Sequence, residues 1–141
     1  MTATNPTPAE IRDLLTTART IAVVGLSLRP ERDSHRVAHY MQRRGYTIVP
    51  VNPGHPEILG ATSYPRLAAV PAPTAIDIVN IFRRSADVGP HVDEAISRGV
   101  RAVWMQVGIA DEAAARRARA AGILVVMNRC IMVDHAALIG G

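Results

Sequence analysis

The chain has 141 residues, 48% of them hydrophobic and 20% charged, which fits one globular domain able to bury a continuous core. Its 16 basic residues against 12 acidic ones give a formal net charge of +4, and every basic residue is arginine. The absence of lysine excludes a Walker lysine, a Schiff-base lysine and a lysine general base, and an aromatic content of 4% leaves few stacking platforms for single-stranded nucleic acid.

The elements follow in chain order. Thr7 to Ala18 predicts a capped helix, with Thr7 as N-cap, Pro8 at the first helical position and Glu10 closing a capping box. It stands before the core, so residues 1–19 are expected to be a helical extension and residues 20–141 the domain proper. IAVVG (Ile21 to Gly25) is a short apolar run ending in glycine, as expected of a strand buried on both faces. Ser34 is expected to cap a helix running to Arg44, with Val37 and Met41 on its inner face, and YTIVPV (Tyr46 to Val51) is a second strand.

The proline- and glycine-rich stretch from Asn52 to Pro73 reads as a connection with one short helix near Arg66 to Ala69. AIDIVNIF (Ala75 to Phe82) is a third strand, with Asp77 inside it needing a partner, and Ser85 is expected to cap a helix carrying Val88, Val92 and Ile96. RAVWMQ (Arg101 to Gln106) is a fourth strand, Asp111 starts an alanine-rich helix that stops at Gly122, and ILVVM (Ile123 to Met127) is a fifth strand followed by a short tail. Strands alternating with helices predict an α/β chain, a single Rossmann-like doubly wound parallel sheet of about five strands with helices on both faces. Ligands of such sheets bind beyond the carboxyl ends of the strands, where strand order reverses.

The turn after the first strand, GLSLRPERDS, keeps Gly25 but places Ser27 where a dinucleotide fingerprint would carry its second glycine. The loop offers Ser27, Arg29, Arg32 and Ser34 as donors beside a helix N-terminus, a donor set suited to phosphate. The alternative is a solvated polar turn. The second strand ends in VPVNP, with Asn52 and Pro53 and no acid to hold a ribose 2′-hydroxyl, which disfavours NAD; NADP would tolerate the missing acid given an arginine close by, but Gly54 and His55 follow. The third strand ends in Phe82, Arg83 and Arg84, either anion contacts or the exposed start of a helix, and the fourth ends in Gln106, Val107 and Gly108.

Together, VVGLSLRPERDSHRVAHYMQRRGYTIVPVNP, EILGATSYPRL, DIVNIFRRS, AVWMQVGI and NRCIMVDH resemble the small stand-alone CoA-binding proteins, whose domain is similar to the CoA-binding domain of the succinyl-CoA synthetase alpha subunit. The resemblance spans roughly Thr20 to Ala137. It implies that CoA lies across the strand ends, contacted by Gly25, Leu26 and Ser27, by Val51 to Pro53, by the turn holding Phe82, Arg83 and Arg84, and by Gln106 and Gly108. Where family members often carry a basic residue just after VNP, this chain has Gly54 and His55, which shifts charge onto Arg32. The larger synthetase uses a phosphorylated histidine on a second domain for which this chain has no room, so the resemblance extends to binding and not to ligation.

Other chemistry is sparse. Cys130 is the only cysteine, so no intramolecular disulfide or thiolate cluster can form, and a reducing cytoplasm is the expected location. Cys130, Asp134 and His135 form the one weak catalytic candidate; the alternatives are that Cys130 fills a strand end or forms a mixed disulfide with the CoA thiol. His35 and His39 lie four apart without the intervening carboxylate of a zinc helix, so no metal is expected. The first residues lack a secretory pattern, and no segment reaches the ~20 apolar residues that span a bilayer, so a soluble protein away from membranes and nucleic acid is expected, alone, as a homo-oligomer or with a protein partner. Three functions remain open: a CoA or acyl-CoA binding module acting as carrier, sensor or partner subunit; an enzyme acting on a CoA thioester through Cys130; and an NAD(P)-binding redox sensor or dehydrogenase.

Overall fold

A computed structural model describes residues 5–140. Helices α1 (Pro8–Thr17), α2 (Asp33–Arg43), α3 (Val88–Arg98), α4 (Glu112–Ala120) and α5 (Ile131–Leu138) surround a five-stranded sheet of β1 (Thr20–Val24), β2 (Thr47–Val51), β5 (Ile78–Ile81), β6 (Ala102–Met105) and β7 (Leu124–Val126), while β3 (Glu57–Ile58) and β4 (Ala61–Thr62) pair as a small antiparallel hairpin. The sheet is parallel throughout, in the order β2-β1-β5-β6-β7. The chain steps outward from β1 to β2, then returns to the other side of β1 as β5, so the reversal lies between β1 and β5. Right-handed crossovers in opposite directions send α2 to one face and α3 and α4 to the other.

Both faces are buried, which is why the strands read as continuous apolar runs. Alternate strand residues such as Ala22, Val79 and Val103 pack with α3 and α4. Val23, Ile78 and Trp104 pack with α1, α2 and α5, and the fully buried Trp104 donates its indole N–H to the Arg129 carbonyl at 2.8 Å. Pro50 is tolerated because β2 is an edge strand. That edge is partly covered: Tyr64 bridges to Val51, donating its N–H to the Pro50 carbonyl and accepting from the Asn52 N–H. At the other edge the Asn5 side-chain amide makes two hydrogen bonds to the Met127 backbone, N–H to carbonyl and carbonyl to N–H, at 2.9 and 2.8 Å.

Several local expectations are corrected. The Thr7–Glu10 capping box and Pro8 start α1 as expected, but Ile11, Leu14 and Leu15 are buried in the core, so this helix is part of the packing rather than a preface to it. The residue flanking α2 is Arg32, not Ser34; the Ser34 hydroxyl instead accepts the Ser27 N–H. Ser85 opens a 3₁₀ turn (Ser85–Asp87), and its hydroxyl accepts the Ala110 N–H, while Asp111 caps α4 as expected. Asp77 lies just before β5, where its carboxylate accepts the N–H groups of Arg19 and Thr20. The short helix near Arg66 is a 3₁₀ turn, Leu67–Ala69, and the tail after β7 is α5.

Candidate functional site

The carboxyl ends of β1, β2 and β5 are tied at one point. The Gly25 N–H donates to the Val51 carbonyl and the Phe82 N–H to the Val24 carbonyl, both at 2.9 Å. Gly25 has φ +85°, and a β-carbon there would stand 2.5 Å from the Phe82 carbonyl oxygen and 3.3 Å from Arg83 Nε. Glycine is therefore imposed by the neighbouring strand end, and the same contact places the Arg83 guanidinium at the turn. Beyond it, the Leu26 carbonyl accepts the Asn52 amide N–H at 2.8 Å, and the Asn52 side-chain oxygen accepts the Gly54 N–H at 2.8 Å. The Ser27 N–H meets the Ser34 hydroxyl at 2.9 Å, and the Ser27 hydroxyl accepts the Arg29 N–H at 3.1 Å. These side chains hold the loop open around a cleft of about 460 Å³, bounded by Gly25, Ser27, Arg29, Arg32 and Phe82.

The cleft favours anions. Its carboxylates are both engaged, Glu31 by Arg29 at 3.2 Å and Asp33 by Arg36 at 2.5 Å. Exposed Arg32 and half-buried Arg83 have no carboxylate partner among the described residues, whereas Arg84 reaches outward to Asp87 at 3.1 Å. α2 begins without a side-chain cap, so its first-turn N–H groups and the positive end of its dipole open onto this cleft.

Across the switch point, Gln106 is buried, and its side-chain oxygen accepts the Ile131 N–H at 3.1 Å, fixing the start of α5. Gly108, at φ +83°, donates its N–H to the Asn128 side-chain oxygen at 2.6 Å, with Asn128 itself at φ +59°. Cys130 is a half-buried free thiol flanking the first turn of α5.

The profile of the family described as "CoA binding domain" matches residues 19–136. The chain belongs to the CoA-binding domain family. It is 42% identical over 132 residues to the uncharacterized protein YneT of Bacillus subtilis (strain 168), covering 94% of this chain and 96% of that one. A hypothetical protein from Pyrococcus horikoshii OT3 superposes with TM-score 0.91 at 37% identity, covering 99% of this chain and 100% of the other. The dinucleotide-forming acetyl-coenzyme A synthetase 1 of Ca. Korarchaeum cryptofilum, in complex with phosphate and ADP, superposes with TM-score 0.69 at 25% identity over 81% of this chain and 27% of its own.

In this CoA-binding domain the predicted site residues do not all play one part. Gly25, Ser27, Arg32, Ser34 and Phe82 line one cleft, and Arg83 adjoins it. Leu26, Val51 and Gln106 are buried, Asn52 has both ends of its amide committed to the loop, and Pro53 and Gly108 are exposed, so none of these six lines the cleft around Gly25. The Cys130, Asp134 and His135 set is not assembled as a relay. Asp134 takes two 2.7 Å hydrogen bonds from Arg129, and His135 Nδ1 is 3.0 Å from the Tyr40 hydroxyl. His35 and His39 stack obliquely with ring centroids 6.2 Å apart, and burial, then His39, pushes the His35 pKa down. Asn128 was missed, although asparagine tolerates the left-handed region and sits directly after a predicted strand. Among the described residues no helix is long and apolar enough to cross a membrane.

Proposed function

We propose that this protein binds coenzyme A or an acyl-CoA at the carboxyl ends of β1, β2 and β5, with the phosphates in the cleft around Gly25 and the ligand running over the switch point towards Gly108 and Cys130. The observation that carries the reading is the pairing pattern of the arginines: Arg32 and Arg83 flank the turn without carboxylate partners among the described residues, beside an uncapped helix start, while the neighbouring acids are already engaged. A guanidinium left half-buried and unpaired at a ligand edge favours a polyanion, since burial of an uncompensated charge is costly. CoA carries a pyrophosphate and a 3′-phosphate, and membership of the family supports that ligand over a simple nucleotide.

The nicotinamide reading is disfavoured by the end of β2. The Asn52 amide is spent on Leu26 and Gly54, and no acid stands there to meet a ribose 2′-hydroxyl. With Asp134 and His135 turned to other partners, a role as carrier, sensor or partner subunit in the cytoplasm fits better than turnover through Cys130. Calorimetric titration with CoA, dephospho-CoA, NAD and NADP tests the proposal: CoA should bind at least roughly tenfold tighter than NAD, a difference of about 1.4 kcal/mol. Equal or tighter NAD binding overturns it.

A further inference from the structure

α5 is the middle helix of its layer, packed against α1 on one side and α2 on the other. Its inward side is set by buried Ile131, Asp134 and His135. Its outward side carries Val133, Ala136 and Ala137, exposed at the i, i+3, i+4 spacing of one helix face, with Val133 57% exposed and Ile139 just beyond the helix 43% exposed. An apolar helix face is normally covered, and this one is turned to solvent while the polar Asp134 and His135 lie inward.

The surroundings of that face are charged. Between α2 and α5 runs a groove of about 330 Å³ with Tyr40 and Met132 in it and Arg36, His39, Arg43 and Arg44 along it. On the α1 side, Arg12 Nε donates to the Leu138 carbonyl at 3.2 Å, putting a guanidinium at the end of α5. From Arg32 to Arg44 the chain has four arginines and one carboxylate, a local net charge of +3 in a chain whose total is +4. The carboxylates of α2 and α5, Asp33 and Asp134, are already held by Arg36 and Arg129. The Arg44 guanidinium lies over the Tyr40 ring at 4.8 Å, which keeps it beside the groove.

We propose that this face docks an acidic amphipathic helix of another protein, its apolar ridge along Val133, Ala136 and Ala137 and its carboxylates over Arg12, Arg43 and Arg44. The ridge spacing suits helix-against-helix packing, and the small alanines permit close approach. A second copy is disfavoured because positive groups stand on both sides of α5, so pairing α5 with itself brings like charges together. A bilayer is disfavoured because the exposed face lacks the large aromatic and leucine side chains that insert into one.

The probe is a synthetic peptide helix with a leucine ridge flanked by glutamates, compared with an isomer carrying lysines in their place, titrated into the full chain and followed by calorimetry and backbone amide shifts. The expected result is binding of the glutamate peptide alone, weaker at high salt, with shifts centred on α5, and a loss of roughly tenfold or more in either Ala137→Arg or the double variant Arg43→Glu, Arg44→Glu. Both changes are at exposed positions, and unchanged thermal transitions show that the fold persists. No binding of the glutamate peptide overturns the proposal. So does a concentration-dependent dimer dissolved by Val133→Glu, which gives the face to a second copy, or adsorption to anionic vesicles that Val133→Glu abolishes while the peptide fails to bind.

Discussion

Gly25 and Phe82 stand so close that a β-carbon on the glycine would lie 2.5 Å from the phenylalanine carbonyl oxygen. The turn that faces the cleft is thus built against the end of β5, and the glycine answers to the protein itself before it answers to any ligand.

Gly25→Ala should destabilise the fold by more than the 1–3 kcal/mol, in order of magnitude, that a strained backbone alone costs, since overlap with a backbone oxygen adds to the left-handed φ. Gly108→Ala is the control, with φ +83° but open space around it, and it should cost only the conformational part. Urea midpoints at constant slope measure both. Equal losses would show that the Phe82 contact relaxes freely.

Arg32→Ala and Arg83→Ala should each weaken CoA binding by roughly ten- to a hundredfold, because a hydrogen bond to a charged group is worth about 1.5–3 kcal/mol. Arg84→Ala, whose partner is Asp87, should change it little. A variant that loses affinity for CoA but not for dephospho-CoA assigns its arginine to the 3′-phosphate; equal losses assign it to the pyrophosphate.

The parallel sheet and its ligand edge were legible because strands buried on both faces must be apolar throughout, as IAVVG and ILVVM are. The serines were misread for a tertiary reason. A hydroxyl before a helix has its own first-turn N–H groups to accept, but the Ser34 hydroxyl is taken by the Ser27 N–H at the other end of the same turn and the Ser85 hydroxyl by the Ala110 N–H of another loop. α5 went unseen since IMVDHAAL shows no apolar period, and without it nothing indicates that Gln106 caps a helix beneath the edge. Two-residue strands such as β3 and β4 carry too little pattern to read at all.

His135 should make stability depend on pH. Burial first, then the Arg44 charge, pushes its pKa below the ordinary 6.5, while Tyr40 holds Nδ1 and Tyr46 packs edge-on at 5.8 Å. The unfolded chain takes up a proton near pH 6.5 that the folded chain resists, so stability is full above that value and falls as pH drops towards the folded pKa. His91 and His35 shift in the same direction. Urea titrations above and below pH 6.5 should show a smaller difference for His135→Asn than for the parent chain; an identical difference would remove His135 from the account.

Cys130 should form one reducible adduct with CoA under mild oxidation, absent from Cys130→Ser, because the thiol is half-buried rather than sealed and stands beyond β7 at the ligand edge. Intact mass before and after reduction reads this directly. An adduct that forms only in denaturant would show a thiol shut off from the cleft.

The sheet is finished at both borders by groups that are not strands. Asn5 offers Met127 a donor and an acceptor in one side-chain amide, imitating a single rung of a neighbouring strand, and Tyr64 supplies a comparable rung beside Val51 and Asn52. A parallel sheet with open borders is a template on which a stranger's backbone can crystallise. Here a would-be invader must first displace a bonded amide on one border or the Tyr64 rung on the other, and it finds Pro50 offering no N–H at the second. Resistance to self-templating growth therefore rests on a few amides at the sheet's borders, and on the β2 side it is tied to the ligand edge, because the Tyr64 carbonyl that closes the border also holds the Asn52 N–H.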